Sequence, residues 1–281
     1  MGQGRCLCGE VVFEVMAPIG FVLHCHCSIC RKFHGTPFTT HGVVPHDELR
    51  WLAGRERIRR YESSEDGERP FCSRCGSNVP AEHHPGGAFI PLGNLDGDVD
   101  VRPLAHVFVA SKAPWHEITD DLPRFDDFPP GFDATPTPET PRDAAAAGSV
   151  AGSCACNAVA YQIEGGIAFA RNCHCSRCRR ARSAPFAANG FADASRIRFT
   201  RGEDQLGSYK VPEADRFAQT FCRTCGSAMP RVFPNRPFVV IPMGSIDGDP
   251  GVRPREHIFV ASKASWHPIT DGLPLYDEYA P

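Results

Sequence analysis

The residues of this sequence best suited to chemistry are its cysteines, which stand in short, repeated clusters. The stretch HCHCSIC runs from His24 to Cys30, and NCHCSRC repeats it from Asn172 to Cys178. Cysteine thiolates are strong ligands for zinc, and CxC or CxxC pairs are too near for easy bridging within the pair. The 14 cysteines of the chain therefore predict metal binding first, although an even number leaves a disulfide framework formally open.

Four cysteines of each half have the spacing of a closed metal site. Cys6 and Cys8 stand at the start of a strand, whereas Cys72 and Cys75 lie in CSRCGS, where the glycine permits a tight turn. Two such two-thiolate knuckles brought together make a tetrahedral, structural zinc site. The second half repeats the set with Cys154, Cys156, Cys222 and Cys225.

The other three cysteines of each half predict an open site. In an extended chain Cys25 and Cys27 point to the same side, and a helical turn from Ser28 brings Cys30 to the same centre. The equivalent residues are Cys173, Cys175 and Cys178. Three protein ligands with an empty fourth position are typical of catalytic zinc. The chain would then hold four Zn²⁺ ions, two per domain. Alternatively, each triad takes a fourth ligand from the protein and forms a second closed site.

The charge of such a triad favours one class of substrate. Three thiolates on Zn²⁺ leave a net charge of −1, which makes a weak Lewis acid for activating water. A soft site of this kind suits an incoming thiol, which becomes a thiolate on binding. We therefore expect a small thiol such as glutathione as the partner.

Several histidines recur in both halves and allow two interpretations. His26 and His174 point away from the cysteines in an extended chain, so a supporting hydrogen bond is favoured over metal ligation. His24 is a candidate fourth ligand only in the first half, because its counterpart is Asn172. The remaining recurrent histidines either are partly buried at strand ends or line the pocket; these are His106, His116, His257 and His267.

These clusters lie in a chain that repeats itself. CHCSIC at Cys25 returns 148 positions later, and HVFVASKAPWHEIT at His106 returns 151 positions later, so the two halves share one layout. We predict a first domain over residues 1–127 and a second over 151–281, which pack on each other. Residues 128–150 are rich in proline and alanine and predict a linker.

The elements that position the clusters are predicted to be mainly strands. EVVFEV, FTTHGVV, AFIPLG and HVFVAS are short, rich in β-branched and aromatic residues, and bounded by turn formers, as are their counterparts in the second half. Helix is expected only as one turn after Cys27 or Cys175 and as a short piece at PHDELR. We therefore predict a mainly β fold.

Composition narrows the classes of function. The chain has 281 residues, 42% hydrophobic and 22% charged, with a formal net charge of −3. This charge gives no general attraction to nucleic acid, and no apolar stretch approaches the roughly 18 residues of a membrane helix. No secretory signal is visible at Met1. We expect a cytoplasmic protein with neither a membrane nor a nucleic acid as partner.

Each half resembles the glutathione-dependent formaldehyde-activating enzyme (GFA) domain, whose family includes the centromere protein V type domain. The resemblance rests on RCLCGEVVFEV, CHCSICRK, FCSRCGS and HVFVASKAPWHEI, and on the equivalent segments of the second half. It implies a β-tent fold, two zinc ions per domain in the division given above, and condensation of formaldehyde with glutathione to S-hydroxymethylglutathione.

The first hypothesis is therefore a zinc-dependent carbon–sulfur lyase, and the alternative is a non-enzymatic tandem zinc scaffold that binds a protein or chromatin partner. A thiol redox or metal-handling protein is a third reading. Nearby cations, either solvated or binding a substrate carboxylate, are Arg31, Lys32, Arg179 and Arg180. The halves differ where Gly9 becomes Asn157 and Phe33, expected beside the open site, becomes Ala181.

Overall fold

A computed structural model describes residues 2–65, 67–131 and 142–281, and it is mainly β as predicted. The nine strands described in the first half are β1 (Gly2–Arg5), β2 (Val12–Val15), β3 (Gly20–Cys25), β4 (Thr39–Val44), β5 (Leu49–Ala53), β6 (Ile58–Ser64), β7 (Gly67–Cys72), β8 (Ala88–Pro91) and β9 (Ala105–Val107). Its helix is α1 (Ser28–His34).

The second half repeats this order with three additional short strands. Its strands are β10 (Ser149–Ser153), β11 (Ala160–Glu164), β12 (Phe169–Cys173), β13 (Ala187–Asp193), β14 (Ile197–Arg201), β15 (Leu206–Lys210), β16 (Ala218–Cys222), β17 (Arg231–Val232), β18 (Phe238–Pro242), β19 (Ile246–Asp247), β20 (Pro254–Ile258) and β21 (Leu275–Tyr276). Its helix is α2 (Ser176–Arg182).

Each half builds three sheets from its own strands. The first half has the orders β1-β2-β5, β8-β4-β3-β9 and β6-β7, and the second has β14-β11-β10-β19, β17-β18-β13-β12-β20-β21 and β15-β16. The central strands β3 and β12 each pair in parallel with a later strand, so that His24 lies beside His106 and Asn172 beside His257. This pairing brings the cysteine-rich segment next to the recurrent histidines.

Three local predictions need adjustment. HVFVAS is a strand only as far as Val107, because Phe108 takes a left-handed conformation (φ 58°) and a 3₁₀ turn follows at Val109–Ser111. The helix after Cys27 has seven residues rather than one turn. In PHDELR the helical piece is a 3₁₀ turn at His46–Glu48.

Part of the predicted linker, 128–150, lies outside the described residues, which omit 132–141. The first strand of the second half, β10, already begins at Ser149, inside that range.

Each half contributes a tryptophan side chain to the hydrophobic core of the other half. Trp115, from the first half, is buried in the core of the second half, among residues such as Ile241 and Met243. Trp266, the equivalent residue of the second half, is buried in the core of the first half with Phe13 and Ile90. Each large core is therefore completed by a tryptophan from the other half.

Reciprocal polar contacts join the halves at equivalent positions. Lys32 on α1 pairs with Asp247, and the equivalent Arg180 on α2 pairs with Asp96. The hydroxyls of the equivalent Thr119 and Thr270 lie 2.5 Å apart. The two halves of this single chain thus contact each other through equivalent residues, as two subunits do in a symmetric dimer.

Neither of the two α-helices in the described part of the chain is long and apolar enough to cross a bilayer.

Candidate metal centres

The sulfurs of the two predicted four-cysteine sets lie together, one set in each half. All Sγ atoms within a set are within 4.8 Å of one another. The Cys6 and Cys8 sulfurs are 3.4 Å apart, and those of Cys8 and Cys72 are 3.8 Å apart. The second half has nearly the same spacing, with 3.9 Å between the sulfurs of Cys156 and Cys222. A tetrahedral zinc ion with 2.3 Å bonds to sulfur requires about 3.8 Å between sulfurs, so the donor set fits such an ion.

Local backbone structure forms each four-cysteine knuckle. In the first half a turn after Cys72 is closed by the amide of Gly76, which donates to the Cys72 carbonyl at 2.9 Å; Gly76 takes φ 72°. The Val11 amide donates to the Cys6 sulfur at 3.3 Å. Hydrogen bonds of this kind hold a sulfur in its charged form and orient it.

The difference between Gly9 and Asn157 has a simple structural reason. Both residues follow the first knuckle in a left-handed conformation, with φ 77° and φ 60°. Asparagine tolerates this region better than other residues that carry a Cβ atom. The exchange therefore preserves the turn.

The three-cysteine sets are also assembled as predicted. Cys25 ends β3, Cys27 caps the N-terminus of α1, and Cys30 lies in the first turn of that helix. The Cys27 sulfur accepts the Cys30 amide at 3.3 Å, and the equivalent bond from Cys178 to Cys175 measures 3.4 Å. Among the described residues, no fourth cysteine, histidine or acidic ligand atom joins either triad. The triads are thus incomplete as tetrahedral protein sites in this conformation.

One thiol of each triad is favoured as a thiolate. Hydrogen bonds from Cys25 and Cys30 hold the pKa of Cys27 well below its usual range. Hydrogen bonds from Cys173 and Cys178 lower the pKa of Cys175 to about 3. The capping cysteine is therefore the first to ionise in both halves.

All 14 cysteines lie in the described ranges, and all are free thiols. The disulfide framework that their even number allowed is thus not formed.

The two histidines between the cysteines face away from the sulfurs. His26 Nε2 lies 2.8 Å from His106 Nδ1, and His106 Nε2 lies 3.0 Å from the Asp120 carboxylate. The second half repeats this chain through His174, His257 and Asp271. Because the carboxylate accepts a hydrogen bond from Nε2 of the middle histidine, Nδ1 of that neutral ring is an acceptor, and the first ring donates its Nε2 hydrogen to it. These histidines support the strand that carries the cysteines.

Two further histidines occupy the centre of the molecule. His116 stacks on His26 at 5.8 Å between ring centroids, and His267 stacks on His174 at 6.2 Å. His267 also contacts His24 and Phe38 of the first half. Burial lowers the pKa of both His116 and His267 to about 3, so they are neutral at physiological pH.

The cations singled out in the sequence serve mainly structural contacts. Lys32 and Arg180 form the ion pairs between the halves described above. Arg31 Nε donates to the carbonyls of His26 and Ser111, at 3.2 Å and 3.1 Å. Phe33, which sequence reasoning placed beside the open site, packs against Phe71 and Phe221 where the halves meet.

Three arginines near the triads escaped the sequence analysis. They are Arg69 on β7, Arg182 at the end of α2 and Arg231 on β17, and each has a buried side-chain nitrogen without a hydrogen-bond partner. The spacing of Arg182, four residues after Cys178 on one helix, was a signal in the sequence. Arg69 and Arg231 come from distant strands and carried none.

Fold and sites together define a protein of two similar, mainly β halves, each with a four-sulfur and a three-sulfur cluster that could bind a metal ion. The model of the family described as glutathione-dependent formaldehyde-activating enzyme matches residues 1–111 and 149–262. The chain belongs to this family.

The individual proteins that this chain is similar to share 27–32% of their residues with it over the matched regions. A putative glutathione-dependent formaldehyde-activating enzyme of Halomonas elongata is 32% identical over 130 residues, which span 41% of this chain and 80% of that protein. An uncharacterized lyase of Schizosaccharomyces pombe is 27% identical over 77 residues, spanning 27% of this chain and 54% of the relative. A crystal structure of a Rhodobacter sphaeroides protein has 29% identity and a TM-score of 0.28, covering 35% of this chain and 89% of the other.

Proposed function

We propose that the chain is a zinc-dependent carbon–sulfur lyase acting on an adduct of a thiol and an aldehyde, such as S-hydroxymethylglutathione. The observation that supports it best is the pair of three-sulfur clusters that lack a fourth protein ligand among the described residues. The relatives' names, which include formaldehyde activation and a lyase, agree with this reaction class.

Each half would hold two zinc ions through the sulfurs already described. The structural ion falls to the four-cysteine sets and the reactive ion to Cys25, Cys27 and Cys30 or to Cys173, Cys175 and Cys178. When bound at a triad, zinc supplies a fourth coordination position that favours a thiol in its ionised form.

The residues of the chain prepare this position. The Cys30 amide fixes the Cys27 sulfur at the helix N-terminus, and burial of Cys30, 4% exposed, restricts water. In the synthetic direction, the substrate sulfur forms a bond to the aldehyde carbon, and the aldehyde oxygen takes up the proton that the thiol gives up. The lyase direction breaks that carbon–sulfur bond and returns free aldehyde and thiol.

Metal content is the first test. Purified protein is expected to contain up to four Zn²⁺ per chain, which elemental analysis measures. A metal-free protein with mapped disulfides would contradict the proposal.

Activity must be measured as a rate, because formaldehyde and glutathione combine without a catalyst. Magnetisation-transfer NMR gives the exchange rate between free and adducted formaldehyde. We expect the wild type to accelerate this exchange and the double variant Cys27→Ser/Cys175→Ser to lose the acceleration while staying folded. Each single variant then assigns activity to one half.

A non-enzymatic scaffold is the second candidate, and apolar packing beside one triad favours it. Tyr276 and Ala280, near the end of the chain, pack with Phe217 and Phe259 against the cluster of Cys173 and Cys178. A wild-type exchange rate equal to the uncatalysed rate, together with failure of other thiols to reach the triads, would favour the scaffold.

A further inference from the structure

Arginines that have a buried, unpartnered side-chain nitrogen and no carboxylate partner accompany both three-cysteine clusters. The side chains concerned are those of Arg69 in the first half and of Arg182 and Arg231 in the second. Among the described residues, none of the three forms an ion pair with a carboxylate. A buried guanidinium without an anionic partner is costly, so its retention calls for a reason.

The geometry is clearest in the second half. Arg182 lies one helical turn after Cys178 on α2, hence on the same face of the helix. It is only 7% exposed, and one of its terminal nitrogens has no partner. Burial lowers the pKa of Arg182 to about 10, and the electrostatic effect of Cys178 opposes that shift.

Arg231 approaches the same cluster from β17. Its guanidinium lies over the rings of Phe233 and Phe217, at 4.4 Å and 5.7 Å from their centroids. Phe217 in turn packs against Cys173 and Cys178. Its terminal group donates to the Ala218 carbonyl, and Nε has no partner. Arg182 and Arg231 thus both lie near enough to Cys178 for its sulfur to act on them electrostatically.

The first half carries a single such group from a different position. Arg69 on β7 has an unpartnered Nε, while the neighbouring Glu68 carboxylate is taken by Arg60 and His83. Burial alone would lower the pKa of Arg69, but the electrostatic effect of Cys30, Cys27 and Cys25 raises it above its usual value. The equivalent residue in the second half is Gln219.

At each of these three positions, one half has an arginine and the other half has a residue other than arginine. Where the second half has Arg182 and Arg231, the first half has His34 and Ala81. Both halves therefore keep positive charge beside the triad but place it differently. A dication with three thiolates carries −1, so the first site is neutral overall, and the second is left with +1. By this count of arginines, the second site has one positive charge more than the first to offer an anionic ligand.

We propose that Arg182 and Arg231 are specificity-determining residues that bind the carboxylate of an acidic thiol whose sulfur takes the fourth position at Cys173, Cys175 and Cys178. The first half, with Arg69 alone, selects for such a carboxylate less strongly. This inference rests on the thiol-binding metal site of the proposed function and adds the chemical class of its ligand.

The test uses full-length protein loaded with Co²⁺, whose visible bands report a new sulfur ligand. Thiol binding to each half is measured separately. Cys27→Ser removes a ligand from the first triad, and Cys175→Ser removes one from the second. The probes are 3-mercaptopropionate, which carries a carboxylate, and 2-mercaptoethanol, which is neutral. We expect the second half to prefer the acid by about 10-fold or more, as for hydrogen bonds to charged groups, and the first half to prefer it less.

The other half supplies the matched substitutions. Arg182→His and Arg231→Ala introduce the first half's own residues and should each reduce the preference several-fold without weakening the neutral thiol. Arg231→Lys should retain part of the preference. Arg236→Ala, which removes an exposed arginine of the same half, should change nothing. Circular dichroism confirms that each variant is folded.

Three results would overturn the inference. One is equal binding of both thiols by the second half, and another is an unchanged preference in folded Arg231→Ala protein. The third is the absence of any cobalt–sulfur spectrum from the triads. The readout does not depend on turnover, so a protein that shows the preference but no accelerated exchange would refute the lyase and leave this inference standing.

Discussion

At the scale of single residues, the cysteines divide by how completely the protein surrounds them. Cys72 and Cys75 are fully buried and share a four-sulfur cluster, whereas Cys27 is partly exposed in a three-sulfur cluster. A closed site contributes to folding because its metal binds only the folded chain. An open site has one protein ligand fewer and so contributes less.

The change Cys72→Ser is therefore expected to cost several kcal/mol of unfolding free energy or to prevent folding, and Cys222→Ser should do the same in its half. Cys27→Ser should cost less. Urea unfolding together with zinc content measures both effects. If the two kinds of variant lose equal stability, the distinction between closed and open sites is wrong.

At the scale of elements, two glycines determine how closely the helices approach the opposite half. A Cβ atom on Gly93 would lie 2.1 Å from the Ala184 amide nitrogen, just beyond α2. A Cβ atom on the equivalent Gly244 would lie 2.3 Å from the Arg31 carbonyl oxygen of α1. Backbone atoms cannot move aside as a flexible side chain can.

Gly93→Ala and Gly244→Ala should thus each lower the free energy of unfolding by about 1–3 kcal/mol through overpacking. Thermal or urea unfolding measures the loss. Gly272→Ala is the control, since nothing lies within 4 Å of its Cβ position, and it should be nearly neutral. Wild-type stability in both test variants would show that the halves do not meet as closely as described.

Some elements of the structure could be predicted from the sequence and others could not. Alternation in VFEV predicts β2, and the structure buries Phe13 and Val15 as that pattern requires. Cysteine spacing predicts both kinds of cluster, because their members are held by local turns and by the repeat. The sequence could not predict that Trp115 packs in the core of the second half and Trp266 in that of the first. The pattern of SKAPWHEIT is compatible with packing on either half. The arginines near the triads could not be predicted either, because Arg69 and Arg231 lie on strands far from the three-cysteine segments in sequence.

At the scale of the whole molecule, neutral histidines fill the space where the halves meet. His116 and His267 have pKa values of about 3 because burial disfavours their charged form. Unfolding releases them to an ordinary value near 6.5, so below that pH the unfolded chain binds more protons than the folded one. Their contribution to stability is complete above pH 6.5 and is lost as the pH falls toward 3.

His116→Phe and His267→Phe should accordingly each flatten the loss of stability with acid, by up to about 1.4 kcal/mol per pH unit between pH 6.5 and 4. Urea unfolding at several pH values gives the slopes. Acid release of any bound metal should affect the wild type and the variants alike, so the difference isolates the histidines. The exposed His46→Phe should keep the wild-type slope, and a steep slope in all variants would exclude the central histidines as its cause.

The exchanged tryptophans also bear on how the protein is made. Trp266 follows Trp115 by 151 positions, and synthesis at about 5–20 residues per second separates them by roughly 8–30 s. Throughout that interval the first half has emerged without the indole that fills its core, with Phe13 and Ile90 left uncovered. The nascent chain therefore presents an apolar opening to chaperones or to neighbouring chains on the same polysome until Trp266 has been translated.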